Sequence, residues 1–185
     1  MPSKNSIKIY KENGFYHVYN RGVEKRNVFL SHTDYLKFLH WLRQAAEKNS
    51  IKVHCYCLMS NHYHLLISQT DRKDITKLMH SLSSIYTVYF NIKYQRVGSL
   101  FQGTYKARLI KTDEDLLNVS AYIHNNPSKD KPGLNLKKYP YSSYHDYVRK
   151  TKNTWLSIEE ITKHFVINDY KKYLVEKLNH EEKLG

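Results

Sequence analysis

The chain has 185 residues, 41% of them hydrophobic, which suffices for one domain with its own core and does not require two. Lysine and arginine number 30 against 17 acidic residues, so the formal net charge is +13. This charge makes a polyanion such as nucleic acid the first partner to consider, the alternative being a basic surface that only faces water. The 17 tyrosines favour nucleic acid, because aromatic rings placed between cations can stack on bases.

Membrane insertion and disulfide formation are not expected. No apolar run approaches the roughly 18 residues that span a bilayer, and no signal-peptide core is present, so we expect a cytoplasmic protein. The only cysteines, Cys55 and Cys57, are expected to be buried free thiols on opposite faces of a strand.

The first half of the chain is predicted to form a strand, a helix and a hairpin. Alternating apolar residues predict a strand over residues 15–20, and apolar residues at helical spacing predict a helix over 34–49, capped by Ser31 or Thr33. Two further strands, 52–59 and 62–69, are separated only by a turn at Ser60 and Asn61. So short a connection requires antiparallel pairing.

The next segment is predicted to form a long helix, a basic loop and a short strand. The helix covers residues 74–94, and one face carries its apolar side chains, namely Ile75, Leu78, Leu82, Ile85, Tyr89 and Ile92. In the loop, residues 96–108, three cations surround two aromatic rings; these are Arg96, Lys106, Arg108, Phe101 and Tyr105. The loop is either a DNA-binding element or a hairpin-like loop with an aromatic plug. A strand is expected at Leu109 and Ile110.

A third helix is predicted from Thr112 to Asn126, because Pro127 cannot continue it and disfavours helical geometry at the preceding residue. Its buried stripe comprises Leu116, Val119 and Ile123. At about 100° per residue, Tyr122 and Asn126 lie at the margin of this stripe, beside a polar arc that contains Asn118 and Asn125. Tyr122 is therefore either a half-buried residue that only packs against its neighbours or a residue whose hydroxyl points into a cleft.

The C-terminal part is predicted to be a helical extension of the same domain. Turn residues indicate that residues 129–144 wrap the surface. Ser157 and Glu160 match a capping box that opens a helix through about residue 165, and Asn168 or Asp169 opens another through about 178. We assign residues 1–150 to the main domain and 151–185 to this extension.

Two histidines separated by one residue are the strongest chemical signal in the sequence. In a strand, side chains alternate between faces, so His62 and His64 point the same way and Tyr63 points the other way. Two imidazoles on one face of a strand can supply two of the ligands of a metal ion. The alternative is chance, because a chain with 11 histidines can have two of them at positions i and i+2 without any function.

The order of the predicted elements suits an antiparallel sheet with helices on one side. The late helix can then cover a face of the histidine strand, so that His62, His64 and Asn126 hold one divalent ion beside the Tyr122 hydroxyl. Such a site suits transfer at phosphorus, in which the metal neutralises developing charge and a positioned nucleophile attacks in line.

Four separated motifs give the chain a resemblance to the REP-associated tyrosine transposases, within the HUH superfamily of single-tyrosine transposases and nucleases. In chain order they are H-V-Y-N-R-G (17–22), Y-C-L-M-S-N-H-Y-H-L-L (56–66), R-V-G-S-L-F-Q-G-T-Y-K (96–106) and Y-I-H-N-N-P (122–127). The chain departs from the family at Ser60, where proline is common, and at Ser128 and Lys129 after the last motif. None of these departures removes a group that the chemistry requires.

The resemblance implies a ferredoxin-like HUH domain that binds hairpin-forming single-stranded DNA and cleaves and rejoins it through a 5′-phosphotyrosine link, using Mg or Mn. By motif, His62 and His64 are metal ligands, Asn126 is the third protein ligand and Tyr122 is the nucleophile. We also expect Arg21 and the loop residues Arg96, Phe101, Tyr105, Lys106 and Arg108 to contact DNA, and the protein to act as a monomer.

Two other classes of function stay open at this point. A DNA-binding protein of the same fold would act on repeat sequences without cutting them. A metal-dependent hydrolase would use Tyr122 only to orient the substrate and would release free ends.

Overall fold

The structure is a computed structural model that describes residues 10–149, 155–165 and 169–184. Its four strands are β1 (Phe15–Arg21), β2 (Ile51–Leu58), β3 (His62–Gln69) and β4 (Lys106–Leu109), and they form one antiparallel sheet in the order β2-β3-β1-β4. The helices are α1 (His32–Lys48), α2 (Asp74–Lys93), α3 (Asp113–Asp130), α4 (Tyr144–Arg149), α5 (Glu159–Thr162) and α6 (Asp169–Leu184). Up to β4 the order is that of a ferredoxin-like βαββαβ unit. The predicted α+β class, an antiparallel sheet with helices packed on it, is confirmed.

Each face of the sheet carries its own hydrophobic cluster, because strand side chains alternate. On β3, Tyr63, Leu65 and Ile67 belong to the cluster under α1 and α2, and Leu66 belongs to the one under α3. The expectation of helices on one side holds for α1 and α2, but α3 covers the second face. Cys55 and Cys57 are buried free thiols that both lie under α3, so the expectation of opposite faces was wrong. Residues two apart in a strand share a face.

Two predicted details in the middle of the chain need correction. The fourth strand begins at Lys106 and ends at Leu109, so it includes part of the predicted loop and leaves Ile110 outside. On α2, Ile85 and Ile92 are 42% and 75% exposed, and the buried side chains include Tyr86 and Phe90. Ile75, Leu78 and Leu82 are buried as predicted, and after Leu82 the buried positions follow at a spacing of four residues instead of three.

The predicted end of α3 was wrong. The helix runs through Pro127, which lacks an N–H for the carbonyl one turn earlier, and reaches Asp130. Side-chain hydrogen bonds on either side of Pro127 in the sequence, one before it and one after it, hold the C-terminal end of α3 in its helical conformation. Asn125 Nδ2 donates to the Leu174 carbonyl in α6 at 2.9 Å, and Ser128 Oγ donates to the Leu134 carbonyl at 3.3 Å. Asn125 is therefore buried and does not belong to a polar arc.

The C-terminal helices pack against the domain. The N-cap residue of α5 is Ile158, whose side chain cannot cap the helix. The capping box predicted from Ser157 and Glu160 is therefore absent. Glu160 pairs with Lys163 instead, at 2.7 Å. The helix predicted to end near residue 178 is α6, and it extends to Leu184; Asn168 and the boundary near residue 150 lie outside the described residues. Within the described part of the chain, every helix is too short or too polar to cross a bilayer.

Candidate active site

The two histidines of β3 lie on the sheet face that α3 covers. Tyr63, between them, is fully buried on the opposite face, as predicted. The ring centroids of His62 and His64 are 5.1 Å apart. Pairing with β1 places Arg21, which is exposed, opposite His62, and Tyr19 opposite His64.

Tyr122 and Asn126 reach the same place from α3. The ring of Tyr122 lies 5.4 Å from the ring of His64, edge to face, and the Asn126 side chain is near enough to His62 to act on the pKa of its imidazole. One turn of helix separates the two, and Asn126 Nδ2 donates to the Tyr122 carbonyl at 2.9 Å. Since the amide nitrogen is engaged along the helix, its Oδ1 is available to the histidines. The structure thus brings together the four residues singled out in the sequence; their roles stay predictions.

The donor set suits a divalent metal ion. Burial lowers the pKa of His62, and burial together with His17, His62 and Lys129 lowers that of His64 well below its ordinary value. Both imidazoles are therefore neutral near pH 7 and have a lone pair to offer. In residues 10–149, 155–165 and 169–184, no three His, Cys, Asp or Glu side chains form a metal-binding group. A third protein ligand beside the two histidines would therefore have to be of another type, such as an amide oxygen. Asn126 fits that requirement.

A third histidine, not singled out in the sequence, lies behind the pair. His17 on β1 is only 7% exposed, and its Nε2 is 2.9 Å from His64 Nδ1. Burial lowers its pKa to about 4, with the Arg108 charge acting in the same direction. The alternation of side chains along the first motif indicates on which face of the strand His17 lies. Only the pairing of β1 with β3 shows that its ring contacts His64.

Lys129 is a second site residue that sequence analysis did not single out. Its Nζ lies 4.1 Å from the centre of the Tyr122 ring, within the range of a cation–π contact. The residue was noted in the sequence only as following Pro127. A helix ending at Asn126 gave no reason to expect it over the tyrosine.

The cations predicted to contact DNA differ in their surroundings. Lys106 is exposed, and its Nζ lies 5.9 Å from the ring of Tyr19. Arg21 is also exposed and its Nε donates to Gln102 Oε1. Arg108 donates to both carboxylate oxygens of Asp115 at 2.8 Å, so it is engaged within the protein.

The rest of the predicted DNA-binding loop is tied to the fold. Phe101 is 6% exposed, and its ring packs 5.7 Å from that of Tyr63, which supports the aromatic-plug alternative for this residue. The Tyr105 hydroxyl is 2.7 Å from that of Tyr10. The Arg96 guanidinium lies 5.8 Å from the ring of Phe90.

Comparison with known proteins identifies the family and the fold of the chain. The family model described as "Transposase IS200 like" matches residues 10–126, more than half of the chain. A Haemophilus influenzae protein that carries the name REP-associated tyrosine transposase is 29% identical over an alignment of 128 residues, and the match covers 63% of this chain and 73% of that protein. The solved structure of a REP-associated tyrosine transposase bound to a REP hairpin superposes with a TM-score of 0.64 at 15% identity, covering 84% of this chain and 89% of the other.

Proposed function

The chain belongs to the family of IS200-like transposases, and we propose that it cleaves and rejoins single-stranded DNA beside hairpin-forming repeats through the Tyr122 hydroxyl. One observation carries this proposal: a half-buried tyrosine lies against the neutral His62–His64 pair, one helical turn from an amide oxygen. Packing alone does not require these four groups to converge. A nucleophile beside a metal site does.

We propose that His62, His64 and Asn126 hold Mg or Mn. When bound, the ion polarises a non-bridging phosphate oxygen and neutralises charge that develops at phosphorus. The protein's own contribution is to keep the two imidazoles neutral by burial and to turn the amide oxygen towards them through the bond from Asn126 to the Tyr122 carbonyl.

In the proposed reaction the Tyr122 oxygen attacks phosphorus and forms a phosphotyrosine bond to the 5′ side of the break. The P–O bond to the 3′ oxygen breaks, that oxygen takes up a proton, and the phenolic proton is lost. Because one phosphodiester replaces another, the link keeps the energy needed to rejoin a strand. Lys129, over the Tyr122 ring, stabilises the negative charge that appears on the phenolic oxygen.

We propose that the DNA partner is a single strand carrying a hairpin, by analogy with the hairpin-bound relative. The net charge of +13 supports a polyanionic ligand, and two exposed cations lie near the histidines. Arg21 pairs with His62, and Lys106 lies over the ring of Tyr19, which pairs with His64. These two residues are the better candidates for phosphate contacts, since Arg108 already pairs with Asp115. We further propose that one monomer carries out the reaction, which light scattering of the complex tests.

The test is a denaturing gel with labelled hairpin-bearing single-stranded DNA, in Mn, in Mg and in a chelator. We expect a metal-dependent covalent adduct in the wild type and none in Tyr122→Phe. Tyr19→Phe is the matched control, because the ring of Tyr19 likewise contacts that of His64, at 5.6 Å, and the substitution again removes one hydroxyl. It should keep the adduct.

The other outcomes separate the alternatives. Cleavage without an adduct, slowed but present in Tyr122→Phe, would identify water as the nucleophile and make the protein a hydrolase. Binding without cleavage across a pool of hairpins would favour a DNA-binding protein that does not cut.

A further inference from the structure

Each histidine of the candidate metal site has a polar neighbour at its Nδ1 atom, on β1 or in the preceding turn. For His62 the neighbour is Asn61, whose Oδ1 is 2.5 Å from Nδ1. The amide of Asn61 is oriented by a second contact, because its Nδ2 donates to the Lys25 carbonyl at 3.3 Å. A carbonyl only accepts, so the nitrogen end faces Lys25 and the oxygen end faces His62.

The tautomer of His62 follows from this orientation. An amide oxygen also only accepts, so the proton of the bond must be on His62 Nδ1. A neutral imidazole carries one N–H, so Nε2 of His62 then has the free lone pair. Asn61 therefore determines which nitrogen of His62 can bind a metal.

The contact at His64 allows two arrangements. His17 Nε2 and His64 Nδ1 are 2.9 Å apart, and either can be the donor when both rings are neutral. If His17 donates, His64 carries its proton on Nε2 and that nitrogen cannot bind a metal. If His64 donates from Nδ1, its Nε2 is a ligand. Only the second arrangement is compatible with the metal site.

We propose that Asn61 and His17 are positioning residues that hold His62 and His64 as Nδ1–H tautomers, so that both rings offer Nε2 to one ion. This inference rests on the proposed function, because the direction of the His17–His64 bond is taken from the metal role of His64. His17 is not a further ligand, since its Nε2 accepts from the ring atom of His64 that does not bind the metal. Partners of this kind typically affect metal affinity tenfold or more.

The tautomers can be observed directly in the metal-free wild type. Long-range proton–nitrogen correlation spectra of protein labelled with ¹⁵N-histidine distinguish a protonated Nδ1 from a protonated Nε2, with His62→Ala and His64→Ala used for assignment. We expect a protonated Nδ1 in both rings. A protonated Nε2 in His64 or in His62 would overturn the proposal.

Metal affinity gives a second readout that does not depend on catalysis. In a manganese titration followed by electron paramagnetic resonance, His17→Leu and Asn61→Ala should each weaken binding about 10- to 100-fold. His17→Gln and Asn61→Asp retain an accepting oxygen and should recover most of the affinity. His40→Leu, at an exposed histidine of α1, is the matched control and should bind as the wild type does.

Failure of this inference differs from failure of the proposed function. Suppose that the wild type forms the metal-dependent adduct and that His17→Leu binds manganese as tightly as the wild type does, while a cooperative thermal transition shows that the variant is folded. The positioning role is then refuted, and the transposase chemistry stands. If the gel shows no adduct while the wild type binds manganese and both positioning variants weaken it, the inference stands and the nucleophile role is refuted. Manganese binding unaffected by His62→Ala and His64→Ala would refute the metal site and the inference together.

Discussion

Asp34 at the start of α1 is expected to make the fold sensitive to acid. Its side chain is fully buried, and its carboxylate accepts five hydrogen bonds. The donors are the ammonium of Lys93 at 2.6 Å, the hydroxyls of Tyr94 at 2.7 Å and Tyr89 at 2.9 Å, and the backbone N–H groups of Leu30 at 2.8 Å and Ser31 at 2.9 Å. Three of these donors belong to α2 or its C-cap, so one carboxylate joins the two helices on that face of the sheet.

The size of the effect follows from the pKa of Asp34. Burial alone would raise it, but the bonds from Lys93, Tyr94 and the other donors outweigh burial and lower the pKa from 3.8 to about 2. This difference corresponds to about 2 kcal/mol of folding stability that depends on ionisation. Because the pKa is lower in the folded state, the stabilisation is fully present above about pH 4 and is lost as the pH falls through about 2.

Urea unfolding of the wild type and Asp34→Asn between pH 7 and pH 2 measures this contribution. At pH 7 the variant should be less stable by about 3 kcal/mol or more, because Lys93 loses its partner in a partly buried site. The gap should narrow by about 2 kcal/mol towards pH 2, where the wild type has lost the charge as well. Asp113→Asn, at a side chain that is 78% exposed, is the control and should leave the pH profile unchanged. A gap between wild type and Asp34→Asn that stays constant with pH would refute the reasoning.

Two further predictions concern α3. Lys129→Gln should slow adduct formation about two- to fivefold in single-turnover gels, because the ammonium over the ring interacts more strongly with a charged phenolic oxygen than with the neutral phenol, by about 0.5–1 kcal/mol. An unchanged rate, or an equal loss in Lys131→Gln, would refute this role. Tyr170→Phe removes the hydroxyl that lies 2.6 Å from the buried Nδ1 of His124 and should lower the free energy of unfolding by about 1–3 kcal/mol. Urea unfolding checks it, and unchanged stability would show that the Tyr170–His124 hydrogen bond does not help to hold α6.

The sequence sufficed for the histidine hairpin, where the structure depends on local geometry. Alternation along β3 is a property of any strand, so His62 and His64 had to share a face and Tyr63 had to enter the core. The turn at Ser60 and Asn61 required an antiparallel hairpin, and the structure contains it. Pairings between distant segments were beyond such reasoning. His17 is 47 residues from His64, and only the register of β1 against β3 brings their rings together.

The end of α3 shows how one wrong prediction concealed part of the site. Proline propensity favoured an end at Asn126, but tertiary contacts on both sides of Pro127 outweigh the missing hydrogen bond and extend the helix to Asp130. Seven residues make nearly two full turns, so in a continuous helix Lys129 lies on the same side as Tyr122, and helical side chains lean towards the N-terminus. The ammonium is thereby placed over the ring of the proposed nucleophile. The helical geometry of residues 126–129 is therefore what places Lys129 for the role proposed for it.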